Sequence, residues 1–261
     1  MRTLTIILSS IMFTMMGVLN AQNSDAFIKK EFVKDGATLK YNILYPQKMK
    51  SGKKYPLVLF LHGSGERGTD NQKQLTHGSA LFLKEELRKK YPAVVLFPQC
   101  PPKVMWTHRK KEKSPTGDWE FEFPLGQQPT LPAFLVNELV DEWLASGKID
   151  TRRVYIMGLS MGGIGALDFL YRWPEKYAAA NVICGGHDPQ LVSAYQHVPI
   201  WFFHGAKDDV VPPLYSRQIY EEHKKWNAKT KYTLYPEANH NSWDPAFAEP
   251  HFLKWLFKQK K

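Results

Sequence analysis

Val154-Tyr-Ile-Met-Gly-Leu-Ser-Met-Gly-Gly-Ile-Gly165 is the stretch whose reading decides the fold. Val154 to Met157 is a short apolar run of the kind a buried strand uses, and Ala166-Leu-Asp-Phe-Leu170 carries apolar residues at helical spacing. Between them, Gly158-Leu-Ser-Met-Gly162 puts a serine at the apex of a strand-to-helix turn. Such a turn holds its serine in a strained backbone conformation, and its glycines leave room where side chains would strike the neighbouring strand or helix. Five residues with three fixed are common by chance. The strand before and the helix after make Ser160 the candidate nucleophile.

Outward from that turn, apolar strands alternate with helical patterns. Upstream, Phe27–Lys34 and Thr38–Tyr45 read as strands joined by Asp35-Gly36, a hairpin signal. Pro56–Leu61 and Ala93–Phe97 read as buried strands, with helices near Ser79–Lys90 and Ala133–Ser146. Downstream, the spacing predicts strands at Ala178–Cys184, Ile200–Phe203 and Lys231–Tyr235, and helices over Leu214–Asn227 and Phe247–Phe257. This alternation predicts an α/β fold: a mostly parallel twisted sheet with helices on both faces and an antiparallel N-terminal hairpin at one edge. With no repeat, low-complexity tract or dividing linker, residues 22–261 read as one catalytic domain.

Residues 1–21 read as a signal peptide: Arg2 supplies the positive start, Leu4 to Val18 a mostly apolar core, and Ala21 a small residue at the cut. The expectation is an exported protein, periplasmic or extracellular, with no membrane span. The two cysteines, Cys100 and Cys184, fall at the ends of strands separated by two others, about 14 Å apart. A disulfide needs Cα atoms within about 7 Å, so two free thiols are expected. The net charge of +10 comes from scattered Lys and Arg apart from 109–113 and the C-terminal tail. Neither run interleaves stacking aromatics, so the reading is a solvated basic surface with no nucleic-acid partner.

Residues 99–130 show no steady period, and loops this long are usually functional or disordered. The segment leaves the carboxyl end of a strand, where such sheets bind ligands, and is expected to overhang Ser160. It offers Trp106, Trp119, Phe121 and Phe123. Trp106 and Trp119 are the candidate substrate-stacking residues, the alternative being that they pin the segment onto the core.

A serine hydroxyl needs a base to remove its proton and a third group to orient the base. Where a serine heads the order, an acid and then a histidine follow. His223 and His251 fall in helical patterns, whereas His240 lies in the polar Glu237-Ala-Asn-His-Asn-Ser242 loop after the last strand, and it is the candidate base. For the acid, Asp208 and Asp209 compete in His204-Gly-Ala-Lys-Asp-Asp-Val-Val-Pro212, with Asp188 a third option; the His-Gly-x-x-Asp spacing favours Asp208. The oxyanion needs two backbone N–H donors. Met161 follows the nucleophile, and Ser64 follows His62-Gly63 in the loop after the Pro56–Leu61 strand. Glu66 and Arg67 are expected to form a loop-ordering ion pair, Trp243 to pack beneath His240, and His187 to be a loop histidine without a role.

Taken together, Leu61-His-Gly-Ser-Gly-Glu-Arg-Gly68, Gly158-Leu-Ser-Met-Gly162, His204-Gly-x-x-Asp208 and His240-Asn-Ser-Trp243 resemble the α/β-hydrolase superfamily. Within it the chain is similar to secreted dienelactone-hydrolase- and feruloyl-esterase-like esterases and predicted peptidases, over nearly all of residues 27–257. The resemblance implies a Ser-Asp-His triad, no cofactor, and ester hydrolysis through an acyl-enzyme. A small-molecule or carbohydrate ester, feruloyl or acetyl, is the expected substrate, with a prolyl-oligopeptidase-like peptidase as the alternative and a non-catalytic binding module as a third reading. Gly63-x-Gly65-x-x-Gly68 matches a dinucleotide fingerprint in letters alone, since no helix begins at once and no acidic residue ends the next strand. None of the nine histidines forms an H-x-x-x-H pair, so no metal is expected.

Overall fold

Leu57, Leu59 and Leu61 bury their side chains on one side of the central sheet, and Val58 and Phe60 do so on the other. Alternating side chains of a strand point to opposite faces, so a strand apolar at every position must be covered on both. The computed structural model describes residues 26–115, 117, 119–124 and 126–261; the expected signal peptide, 1–21, lies outside them.

In chain order the elements are β1 (Ile28–Lys34), β2 (Ala37–Leu44), β3 (Tyr55–Leu61), α1 (Ser79–Leu83), α2 (Glu85–Lys90), β4 (Val94–Pro98), β5 (Lys110–Lys113), β6 (Trp119–Glu122), α3 (Leu131–Ala145), β7 (Ile149–Leu159), α4 (Met161–Arg172), β8 (Ala179–Ile183), α5 (Val192–Tyr195), β9 (Ile200–Gly205), α6 (Pro213–Lys224), β10 (Lys231–Tyr235), α7 (Trp243–Ala248) and α8 (Phe252–Lys258). Eight strands form one sheet in the order β1-β2-β4-β3-β7-β8-β9-β10, while β5 and β6 make a separate hairpin. From β4 to β10 neighbouring strands are parallel, and β2 joins β4 antiparallel, leaving the β1-β2 hairpin at the edge. The fold is the expected mostly parallel sheet. Helices α3 and α4 cover one face, and α1 and α8 the other. Among the described residues no helix is long and apolar enough to cross a membrane.

Two expected helices are broken. Ser79–Lys90 divides at Lys84, whose ψ of 120° is extended. At 100° per residue one straight helix would spread Leu81, Phe82, Leu83 and Leu87 over too wide an arc to bury together, and the break lets each half turn inward. The terminal helix divides at Glu249-Pro250, with Glu249 extended at ψ 119°. Proline excludes helix from the residue before it.

Cys100 and Cys184 are free and buried, at the ends of β4 and β8 with β3 and β7 between them. The aperiodic segment 99–130 contains the β5-β6 hairpin, with Lys111 opposite Phe121 and Lys113 opposite Trp119. It is stapled at its base by Thr130. That hydroxyl donates to Met105 and Trp106 carbonyls at 3.0 and 3.1 Å and also caps α3 by accepting from the Ala133 N–H.

Candidate active site

Ser160 stands between β7 and α4 at φ 52°, ψ −119°. A conformation of this kind costs about 1–3 kcal/mol and persists only where surroundings over-determine it. Here the Ser160 N–H donates to the Ile183 carbonyl at 2.9 Å, while the Ser160 carbonyl accepts from the Ile164 N–H at 3.0 Å. Close backbone approach does the rest. A Cβ on Gly158 would stand 2.1 Å from the Gly162 carbonyl oxygen, and one on Gly162 would stand 2.0 Å from the Leu61 oxygen.

The structure brings Ser160, His240 and Asp208 together from three loops at the carboxyl ends of β7, β10 and β9. Ser160 Oγ is 2.8 Å from His240 Nε2, and His240 Nδ1 is 2.8 Å from Asp208 Oδ2. Asp208 also accepts from the Val210 and Val211 N–H groups at 3.0 and 2.9 Å, and its other oxygen meets His204 Nε2 at 3.1 Å. Burial alone would raise the Asp208 carboxyl, but the bonds from His204, His240 and Val211 outweigh it and hold the group well below the usual carboxylate range. The acid is thus ionised and in place to receive the Nδ1 hydrogen, which leaves Nε2 free to accept from the serine. Asp209 is exposed, and Asp188 caps the next turn by accepting from the Gln190 N–H at 2.9 Å. Neither meets His240.

His204 and His62 are two site residues that spacing alone did not assign. Both ring nitrogens of His62 are engaged: Nε2 accepts from the Cys100 N–H at 2.9 Å, so Nδ1 carries the hydrogen and donates to the Gly63 carbonyl at 2.6 Å. Burial takes this imidazole from near 6.5 to about 4 against the pull of its Gly63 bond, so the ring is neutral. In a trans peptide the N–H lies opposite the C=O. Binding the Gly63 carbonyl therefore turns the Ser64 N–H to the other side of the loop. Gly63 lies against the nucleophile, since a Cβ on it would be 3.6 Å from Ser160 Cβ. Ser64 and Met161 each begin a helical turn, so both are placed where a backbone N–H has no intrahelical acceptor.

Trp106 is a correction. Its side chain is 0% exposed, its Nε1 donates to the His62 carbonyl at 3.0 Å, and its ring stands edge-on to His62 at 5.1 Å. No face of the indole is open to a ligand, so it pins segment 99–130 beneath the His62-Gly63 loop and does not stack on substrate. Trp119 is half-buried on β6 with Lys111 Nζ 3.7 Å from its ring centre. Glu66 does not pair with Arg67: it faces His77 at 3.7 Å, while Arg67 donates to the Ser64 and Val104 carbonyls at 3.0 and 3.2 Å. His187 also differs from its expected idleness, for it is buried, stacks on Phe123 at 4.5 Å and lies 3.6 Å from Asp168. Trp243 stands edge-on to His240 at 5.5 Å.

Cys184, Asp208 and His240 have ligand atoms within 4.8 Å of one another, a grouping a metal ion could use. The set fits poorly. Asp208 and His240 already bond each other at 2.8 Å, and Asp208 accepts from the Val210 and Val211 N–H groups, so a metal would have to displace those bonds.

Residues 127–254 match the Phospholipase/Carboxylesterase family model. A curated bifunctional acetylxylan esterase/xylanase of Neocallimastix patriciarum is 28% identical over 158 residues, covering 60% of this chain and 20% of that protein. A solved thermostable esterase is 34% identical with a TM-score of 0.80, over 91% of this chain and 64% of the other. The chain thus spans one-fifth of that curated relative and under two-thirds of the thermostable esterase. A ferulic acid esterase of Anaeromyces mucronatus, solved with ferulic acid, shares the fold at 17% identity and a TM-score of 0.62, over 89% of this chain and 90% of the other.

Proposed function

We propose that this chain is an ester-cleaving serine hydrolase of the α/β-hydrolase superfamily and that it removes feruloyl or acetyl groups from carbohydrate outside the cytoplasm. The observation that carries the reading is the continuous relay from Ser160 Oγ through His240 to Asp208, 2.8 Å at each link. His240 Nε2 takes the serine proton as Oγ attacks the ester carbonyl. The negative charge that develops on the carbonyl oxygen is met by the Ser64 and Met161 N–H groups. Collapse of the tetrahedral intermediate expels the alcohol, which receives the proton from His240 and leaves the acyl group on Ser160. Water then repeats the sequence and frees the acid. Asp208 stays ionised throughout and holds the imidazole in the tautomer this needs.

The names of the acetylxylan and ferulic acid esterases support a carbohydrate ester, as does Trp119, a half-buried ring on the hairpin. Residues 1–21 act in this reading as an export signal, to be checked by N-terminal sequencing of the mature protein. The test of the function is kcat/KM on feruloyl and acetyl sugar esters, peptide anilides and long-chain esters, in wild type and Ser160→Ala. The variant should fold and lose about four orders of magnitude of esterase activity, together with labelling by a fluorophosphonate probe. A Ser160→Ala protein keeping a tenth of wild-type kcat would reject the nucleophile, and faster turnover of anilides or long-chain esters would reject the substrate class.

A further inference from the structure

The run Arg109-Lys-Lys-Glu-Lys113 has no motif of its own, yet the hairpin sorts its charges by face. Pairing of Lys111 with Phe121 and Lys113 with Trp119 puts those four residues on one side. Lys110, Glu112, Glu120 and Glu122 take the other. On that outer side Lys110 is neutralised by Glu122 at 3.0 Å. On the inner side Lys111 Nζ sits 3.7 Å from the Trp119 ring centre, Lys113 Nζ 5.2 Å from the same ring, and the Arg109 guanidinium 4.6 Å from Phe121. Among the described residues, no carboxylate forms an ion pair with Arg109, Lys111 or Lys113. Arg109 Nε is buried without a hydrogen-bond partner.

This face is tied to the loop that carries Asp208 and stands beside the loop that carries Ser64. Lys111 Nζ reaches the Val210 carbonyl at 3.5 Å, and the Val210 N–H donates to Asp208. At the other end Arg67, which holds the Ser64 carbonyl, adds a further positive charge beside Arg109. Burial and then the neighbouring guanidinium lower both Arg109 and Lys111, and for Lys111 this outweighs the opposing pull of the Asp208 carboxylate, the mark of cations desolvated together. A ring face attracts each cation but brings no net negative charge. Partly buried charges without an ion-pair partner among the described residues are expensive, so this arrangement is explained if the ligand supplies the anion.

We infer that the inner face of the β5-β6 hairpin, with Arg109, Lys111, Trp119 and Phe121, is a subsite for a carboxylate borne on a flat ring next to the scissile ester. The inference rests on the esterase reading and narrows it: the substrates are esters of acidic sugars, or of aromatic acids with a second carboxylate. The ring lies against Trp119 while the carboxylate meets Lys111 and Arg109, whose planar fork suits bidentate pairing; Phe121, packed between Arg109 and Tyr215, backs the site.

The test uses two matched pairs on the full chain. For the acyl side, mono-4-nitrophenyl terephthalate is compared with 4-nitrophenyl 4-methylbenzoate; for the alcohol side, acetylated galacturonic acid with acetylated galactose. Wild type should favour the anionic member of at least one pair by about tenfold or more in kcat/KM at low salt, and the preference should shrink at about 0.5 M salt, where screening acts within about 3–5 Å. Lys111→Gln and Arg109→Gln should each lower the anionic-to-neutral ratio several-fold, and Lys111→Glu more. Lys110→Gln, on the outer face, should leave it alone. Because the readout is a ratio within one protein, a variant that folds less well still reports. Equal turnover of both members in both pairs, or a ratio indifferent to Lys111 and Arg109, overturns the subsite while leaving the esterase standing. Failure of wild type on every ester, with no probe labelling of Ser160, instead takes down the reading beneath it.

Discussion

Asp208 shows how one residue's surroundings decide its work. It and Asp209 are adjacent carboxylates, yet one is buried under five donor contacts and the other is exposed. Asp208→Asn should therefore cut kcat by about 10³–10⁴-fold, because the amide cannot hold His240 in the required tautomer. Asp209→Asn and Asp188→Asn should stay within a few-fold of wild type. Comparable loss at Asp188 with none at Asp208, measured by steady-state kinetics on one ester, would move the acid to the β8 loop. The three residues the structure brings within hydrogen-bond reach were legible because a serine turn, an aspartate loop and a histidine loop stand in a set order with local signatures. The braces were not. His62 and His204 act through bonds to the Gly63 carbonyl and the Asp208 carboxylate, and nothing in residue type separates a brace from a base. The reading of Trp106 failed for a related reason: an indole in an aperiodic segment looks the same whether its ring is open or, as here, sealed against His62 and Gly165.

Among the elements, the β7-turn-α4 unit tolerates least. Gly158 and Gly162 are where the turn, α4 and the end of β3 meet at backbone contact, and Gly65 is two residues beyond Gly63 with open space around it. Gly158→Ala should lower the urea midpoint strongly or prevent soluble folding, since a Cβ 2.1 Å from a carbonyl oxygen forces the elbow apart. Gly65→Ala should stay close to wild type in the same titration; equal effects at the two positions would contradict the packing described. Elements with strong local signals, such as β3 and β10, sit where their periodicity puts them, whereas β7 begins at Ile149, ahead of the apolar run at Val154. The breaks at Lys84 and Glu249 had different visibility. Pro250 marked the second in the sequence, whereas the first answers only to how Leu81, Phe82, Leu83 and Leu87 find the sheet. The β5-β6 hairpin left no steady period because each strand is four residues long, with charges on one face and mixed cations and rings on the other.

For the molecule as a whole, the buried histidines make acid sensitivity begin above the carboxylate range. Burial takes His223 as well as His62 from near 6.5 to about 4 in the folded protein. The unfolded chain binds those protons and the folded one does not, so this contribution to stability is complete above about pH 6.5 and is lost as pH falls toward 4. The slope is at most about 1.4 kcal/mol per pH unit for each histidine. Urea midpoints at about pH 7.5 and 5 should therefore differ clearly in wild type and less in His223→Gln. Identical wild-type midpoints at the two values would remove the histidines from the acid limb.

What could be read along the chain was whatever depends on near neighbours: strand and helix periods, the serine turn, and the order of the Ser160, Asp208 and His240 loops. These are short-range consequences of side-chain direction and backbone geometry, so they survive without knowledge of the fold. What needed the folded molecule was each property set by residues far apart in sequence. Whether Trp106 is open or sealed depends on His62, 44 residues away. Whether Glu66 pairs with Arg67 depends on His77 and on the Val104 carbonyl. The charges at 109–113 read as solvated because the sequence shows how many there are but not which face they share. The structure lays three of them on one hairpin face over Trp119 and Phe121, with Lys111 reaching the loop that carries Asp208, since only packing decides which charges come together.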